Sequence, residues 1–166
     1  MAVMVMGFSA SVASADGVTT IDPTAAPTGT HLQTGTIGCT INADQTVTCS
    51  TFELAGVGNA NATADLTVTY TATVRCRNHG GQIVEVKSQV VGATASTGSL
   101  SPENGRLSVP ALSSAPAPTA AEFEAQATCP NGNWTKETLA STIAVSGFTY
   151  TLTFAGFDSP YILIDP

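Results

Sequence analysis

Period-two alternation of apolar and polar positions dominates the chain, and it is longest over Ala64–Cys76. There Leu66, Val68, Tyr70, Ala72, Val74 and Cys76 fall on one face, and Thr67, Thr69, Thr71, Thr73 and Arg75 on the other. Such alternation, rich in β-branched residues, predicts a half-buried strand of an antiparallel sheet. Phe148–Phe154 repeats the pattern, with Phe148, Tyr150, Leu152 and Phe154 opposite Thr149, Thr151 and Thr153. Shorter runs fill the space around these two. Thr36–Ile41 and Thr46–Phe52 flank the turn cluster Asn42–Gln45 and predict a hairpin. Ile83–Val91 follows the turn Asn78-His79-Gly80-Gly81, and Thr94–Leu100 is a weaker strand. Arg106–Leu112 carries Pro110, which places it at a sheet edge. Glu122–Cys129 sets Phe123, Ala125, Ala127 and Cys129 inward as a further strand, and Thr138–Val145 and Tyr161–Ile164 complete the set. No stretch has a helical period, and only Glu137–Ile143 is compatible with a short helix. Strands this short, with turn signals between them, predict an all-β immunoglobulin-like antiparallel β-sandwich, with a closed barrel as the alternative.

The ends of the chain read differently. Residues 1–15 are expected to be a signal peptide truncated at its start: Ala2–Val12 is apolar and short, and Ala13-Ser14-Ala15 is a small-residue cleavage site. Residues 16–35 are rich in Thr, Pro, Ala and Gly without a period and predict a flexible segment; His31 lies there as a solvated side chain. The sandwich domain is expected over 36–166. No later segment is long and apolar enough to span a membrane.

Composition narrows the partners. Only 10% of residues are charged against the usual quarter, so solubility rests on Thr, Ser, Asn and Gln. Net charge is −7, and the five basic residues are scattered from Arg75 to Lys136, which argues against nucleic acid and anionic membrane surfaces as partners.

Four cysteines behind a leader imply an oxidising compartment and two bridges, for which three pairings exist. Cys39 and Cys49 occupy mirror positions about a hairpin turn and satisfy the short Cβ–Cβ distance of a disulfide. Cys76 and Cys129 each end a strand before a polar, Gly-containing turn, and their pairing completes the set. A zinc site is disfavoured: no C-x-x-C pair exists and the histidines are remote.

The motifs Val74-Arg75-Cys76-Arg77-Asn78-His79-Gly80-Gly81 and Cys129-Pro130-Asn131-Gly132-Asn133-Trp134 resemble those of small secreted bacterial proteins of unknown function. In these, too, a strand ends in Cys before an Asn/His/Gly/Gly turn, and a later Cys-Pro-Asn-Gly turn precedes the final strands. The resemblance covers Thr63–Phe154, supports the Cys76–Cys129 pairing and implies no activity. The Cys39–Cys49 spacing and the acidic composition are also similar to the neocarzinostatin-type apoproteins, which hold an apolar ligand in a cleft; the second cysteine pair departs from that family's closely spaced one.

Candidate chemistry is sparse. No Gly-x-Ser-x-Gly occurs, the cysteines are expected to be oxidised, and His79 is the one histidine in an ordered region, near Arg75, Arg77 and Glu85. Glu122 and Glu124 share a strand face and read as solvated rather than as paired catalytic acids. Asn59, Asn61 and Asp65 have roughly the alternate spacing of calcium ligands with too little charge to hold the ion. The threonine rows suggest a flat, ice-binding array only if the sheet does not twist. Trp134, the sole tryptophan, and His79 are the candidate binding residues, Trp134 as a carbohydrate-stacking platform.

The sequence thus predicts a secreted, extracellular, non-catalytic module without cofactor or metal. The low charge and the Ala/Pro/Ser loops suit protein–protein contact with an extracellular protein or surface, or a structural role. A carrier of a small apolar ligand and a carbohydrate-binding module are the alternatives.

Overall fold

The structure, a computed structural model, describes residues 17–166; the leader expected over 1–15 lies outside the described residues. Strands β1 (Val18–Ile21), β2 (His31–Gly35), β3 (Cys39–Ile41), β4 (Val47–Cys49), β5 (Phe52–Ala55), β6 (Ala62–Arg77), β7 (Ile83–Val91), β8 (Ala95–Leu100), β9 (Arg106–Val109) and β10 (Leu112–Ser113) precede helix α1 (Ala120–Gln126). After it come β11 (Thr135–Thr138), β12 (Ala144–Phe154) and β13 (Ile162–Asp165).

β6 is the spine. Its 16 residues alternate between buried and half-buried from Ala62 to Cys76, over a length of about 50 Å. Along one side it pairs antiparallel with β12, Thr67 facing Thr149 and Leu66 facing Tyr150, and then with β11. Along the other it pairs with β8 and then β7, Arg75 facing Glu85. β13 extends the sheet beyond β12, and β1 closes that edge to give seven antiparallel strands. Threonine hydroxyls repair the ladder where neighbours break. Thr142 Oγ1 accepts the Thr73 N–H at 2.8 Å beside the 3-10 turn Ala140–Thr142. Thr97 Oγ1 accepts the Ala64 N–H at 3.0 Å beside the β6–β8 irregularity.

The second layer consists of two three-stranded sheets, β2-β5-β9 and β3-β4-β10. Each strand of the first runs on in sequence with one of the second, so together they form one trio bent at a crease. Hydroxyls close the crease: Ser50 Oγ donates to the Thr36 carbonyl, and Thr51 Oγ1 donates to the Val109 carbonyl at 2.8 Å. Pro110 interrupts the outer strand there, at an edge as its missing N–H requires.

One hydrophobic cluster joins the layers, with Leu66, Val68, Tyr70, Phe148, Tyr150 and Ile162 from the large sheet and Val47, Phe52, Leu54, Leu107 and Val109 from the trio. Both disulfides have the expected pairing, Cys39–Cys49 and Cys76–Cys129, with Cα separations of 4.0 and 5.8 Å. The close Cα approach of the first follows from its position. The Gly38–Ser50 hydrogen bond makes Cys39 and Cys49 a non-hydrogen-bonded pair, where facing side chains lie nearest.

Four sequence expectations are corrected. Glu122–Cys129 is not a strand: Ala120–Gln126 is helical and buries Phe123. The alternation there consisted of alanines, which pack as well in a helix, and the segment has no β-branched residue before Thr128. Glu122 accepts the Thr119 N–H and hydroxyl at 2.7 and 3.0 Å and so fixes the helix start. Glu124 accepts the Thr138 N–H at 2.9 Å, so the two acids do not share a strand face. Thr138–Val145 divides at the 3-10 turn, within the range compatible with a short helix. The segment expected to be flexible carries β1 and β2; every residue of both strands is exposed, so no burial pattern marked them.

Candidate functional site

The structure brings the two candidate binding residues together. His79 and Trp134 line one open cleft of about 280 Å³ with Asn78, Gly80, Asn131 and Asn133. The cleft forms where the β6–β7 turn meets the loop that leads into β11, because β11 pairs with the end of β6 and sets Thr135 opposite Arg77.

Both walls are built locally. In the first turn Asn78 clamps Gln82: its side-chain oxygen Oδ1 accepts the Gln82 N–H at 2.8 Å and its side-chain Nδ2 donates to the Gln82 Oε1 at 3.2 Å. Gly81 supplies the left-handed residue that closes the turn, with φ +83°. In the second, the Asn131 side chain accepts the Asn133 N–H at 3.1 Å, an Asx turn that orients Trp134. Cys76–Cys129 ties together the two segments that lead into these turns. Lys136 anchors the base, donating to the carbonyls of Glu124 at 2.9 Å and Ala127 at 2.7 Å and so capping the C-terminal end of α1.

No Asp, Glu, Lys or Arg lines the cleft, in a protein of net charge −7. Trp134 is half-buried, while His79, Asn131 and Asn133 are exposed. The wall therefore offers an aromatic plane, amide donors and acceptors, and an imidazole. Arg75 and Glu85 lie elsewhere, paired with each other at 3.2 Å on the outer sheet face rather than gathered around His79. Every cysteine is in a disulfide, and no hydroxyl or thiol nucleophile lines the cleft beside His79.

The other sequence candidates come apart. Asn61 and Asp65 line a cavity of about 440 Å³ with Thr63, Ser99 and Thr153, and Asn59 does not line it. Among the described residues no cluster of three His, Cys, Asp or Glu side chains could hold a metal. The threonine rows of β6 and β12 do lie side by side, Thr63 facing Thr153 and Thr67 facing Thr149. Asp65 interrupts them opposite Thr151, and a bulge between Val145 and Gly147 ends them, so the surface is neither uniform nor regular.

Two larger cavities went unsignalled in the sequence. One, of about 660 Å³, is lined by Glu53, Glu103, Asn104 and Arg106 among others, and the Arg106–Glu53 ion pair spans 3.4 Å within it. The other, of about 630 Å³, runs beside the Cys39–Cys49 bridge and is lined by hydroxyls that include Thr19, Thr40, Thr48 and Ser50. The charged and amide lining of the first gives an apolar ligand little to bury against, whereas Ile37 and Cys39 join the hydroxyls in the second.

No family model, no curated protein and no solved structure matches the chain.

Proposed function

We propose that the protein is a secreted, non-catalytic immunoglobulin-like module that acts outside the cell by surface contact, and that the His79–Trp134 cleft engages neutral saccharide on its target. The amide-and-indole lining of a cleft without carboxylate, lysine or arginine, its two walls joined by Cys76–Cys129, carries this reading. A sugar ring stacks its C–H face on an aromatic plane and exchanges hydrogen bonds with amides, and neither requires charge. The oxidised cysteines fit an extracellular module. Trp134 is the only tryptophan, so intrinsic fluorescence reports on the cleft directly. Titration with neutral oligosaccharides is expected to shift its emission saturably, and His79→Ala is expected to weaken that response. Unchanged emission across neutral oligosaccharides up to tens of millimolar would sink the saccharide reading.

The second reading, contact with protein alone, is favoured by a different feature: the edge of β7, on the side of the large sheet away from β1, which no strand among the described residues pairs.

A further inference from the structure

β7 ends the large sheet on the side away from β1, and among the described residues no strand pairs with its other edge. The Gly92 N–H donates to the Val68 carbonyl at 2.8 Å, which sets the phase of the ladder. Val84, Val86, Ser88 and Val90 exchange hydrogen bonds with β6, and the odd-numbered residues direct their N–H and C=O groups outward. Those residues are Ile83, Glu85, Lys87, Gln89 and Val91, and all are exposed, Ile83 by 45% and Val91 by 63%. Helix α1 does not cover this edge. Its Phe123 carbonyl accepts the buried Ser88 hydroxyl at 2.7 Å, which places the helix on the inner face of the sheet.

An open edge of this length is a template for another strand, and its side chains select which one. Glu85 and Lys87 lie at adjacent outward positions with opposite charge. Antiparallel pairing of β7 with itself about Val86 sets Glu85 of each copy opposite Lys87 of the other, giving two ion pairs across the junction. Pairing about Lys87 instead sets the two lysines directly opposite, which is unfavourable. In the register about Val86, Ile83 faces the partner's Gln89, inside the new ladder.

We propose that two copies of the protein pair antiparallel through the open edge of β7, in the register that sets Glu85 opposite the partner's Lys87. The contact is small, so the dimer forms only at high local concentration, with a dissociation constant of about 100 μM. It continues the sheet from one copy into the next. The β6–β7 turns lie at opposite ends of the junction, with the two Ile83 residues about 20 Å apart along the strands, so the dimer is bivalent for whatever the His79–Trp134 cleft binds.

Sedimentation velocity from about 5 μM to about 1 mM reads the equilibrium. Wild type is expected to pass from monomer to dimer, Lys87→Glu and Glu85→Lys each to remain monomeric in that range, and an equimolar mixture of the two variants to dimerise again, since every facing pair is then opposite in charge. Far-UV spectra and melting temperatures of both variants establish that they fold. A wild type that stays monomeric at 1 mM overturns the proposal. So does a dimer that Glu85→Lys leaves intact, or one that Lys87→Thr tightens, since both point to another register. Pairing only with an added foreign strand peptide, without self-association, overturns the choice of a second copy.

Discussion

The side-chain carbonyl of Gln45 accepts the backbone N–H of Val145 at 2.9 Å, joining the tip of the β3–β4 hairpin to the start of β12. Gln45 adopts φ +65° at that tip, and Val145 lies beside the register shift of β12, outside the stretch Tyr150–Leu152 that β13 pairs. Gln45→Ala is expected to cost about 1–3 kcal/mol, the price of leaving a partly buried donor unmatched. Gln45→Glu, which keeps the acceptor, is expected to cost less at neutral pH. Urea unfolding midpoints of the two variants distinguish the lost hydrogen bond from loss of the side chain as such.

The two disulfides differ in the length of chain that they close, 10 residues for Cys39–Cys49 and 53 for Cys76–Cys129. Loop entropy gives about 2.7 kcal/mol for the first and about 4 kcal/mol for the second. Paired serine substitutions at Cys76 and Cys129 are therefore expected to lower the melting temperature further than those at Cys39 and Cys49. They are also expected to red-shift Trp134 emission, because they unpin the cleft wall, whereas the other pair leaves the emission unchanged.

Tyr70 and Tyr150 are each 1% exposed, and their hydroxyls find no hydrogen-bond partner among the described residues. Tyr150→Phe removes an unmatched buried polar group and is expected to raise stability by about 1 kcal/mol. Burial also pushes the ionisation of Tyr150 up to about 12. The unfolded chain loses that proton near pH 10 and the folded chain holds it. Stability is thus unaffected below pH 10 and falls by roughly 2 kcal/mol between pH 10 and 12. Tyr161, also raised by burial, acts in the same direction. Alkaline melts of Tyr150→Phe are expected to fall less steeply than wild type.

At the acid end the sign reverses. Hydrogen bonds from the Thr46 hydroxyl and amide hold Asp44 below the usual carboxylate range, as the Thr24 hydroxyl and amide do for Asp22 and those of Thr119 do for Glu122. Each group favours the folded state above its unfolded pKa and loses that contribution as pH falls through its depressed folded value. Melting temperature is expected to decline below about pH 4, and Asp44→Asn to reduce the slope of that decline.

Phe123 is fully buried, and α1 has no other buried residue. Phe123→Ala is expected to cost about 3–5 kcal/mol. Hydrogen exchange in the variant is expected to rise first in α1 and β11, which Lys136 and Glu124 couple to each other.

Much of the frame was legible because its signals are local. Alternation marked β6, β7 and β12 within a few residues of their ends, and mirror placement about a turn marked Cys39–Cys49. Helix α1 was hidden because Ala125 and Ala127 at alternate positions satisfy a strand pattern and a helix equally. β1 and β2 were hidden because their order comes from backbone pairing, which leaves no trace in exposed Thr and Gly. The cleft was half legible: His79 and Trp134 stood out singly as turn residues. Their meeting depends on the register of β11 against β6, which the distant partner fixes and neither motif encodes.

The position of β6 also has a consequence for biogenesis. The strands on one flank, β7 and β8, follow it directly, and those on the other, β11 and β12, come near the end of the chain. A polypeptide emerging amino-terminus first therefore seals one flank early and leaves the other raw, lined with unspent amides, until synthesis is almost finished. Ribosome-stalled or prematurely terminated chains that stop short of Thr135 should be the aggregating species, and a chaperone that shields a naked β-strand would be needed longest on the β12 side.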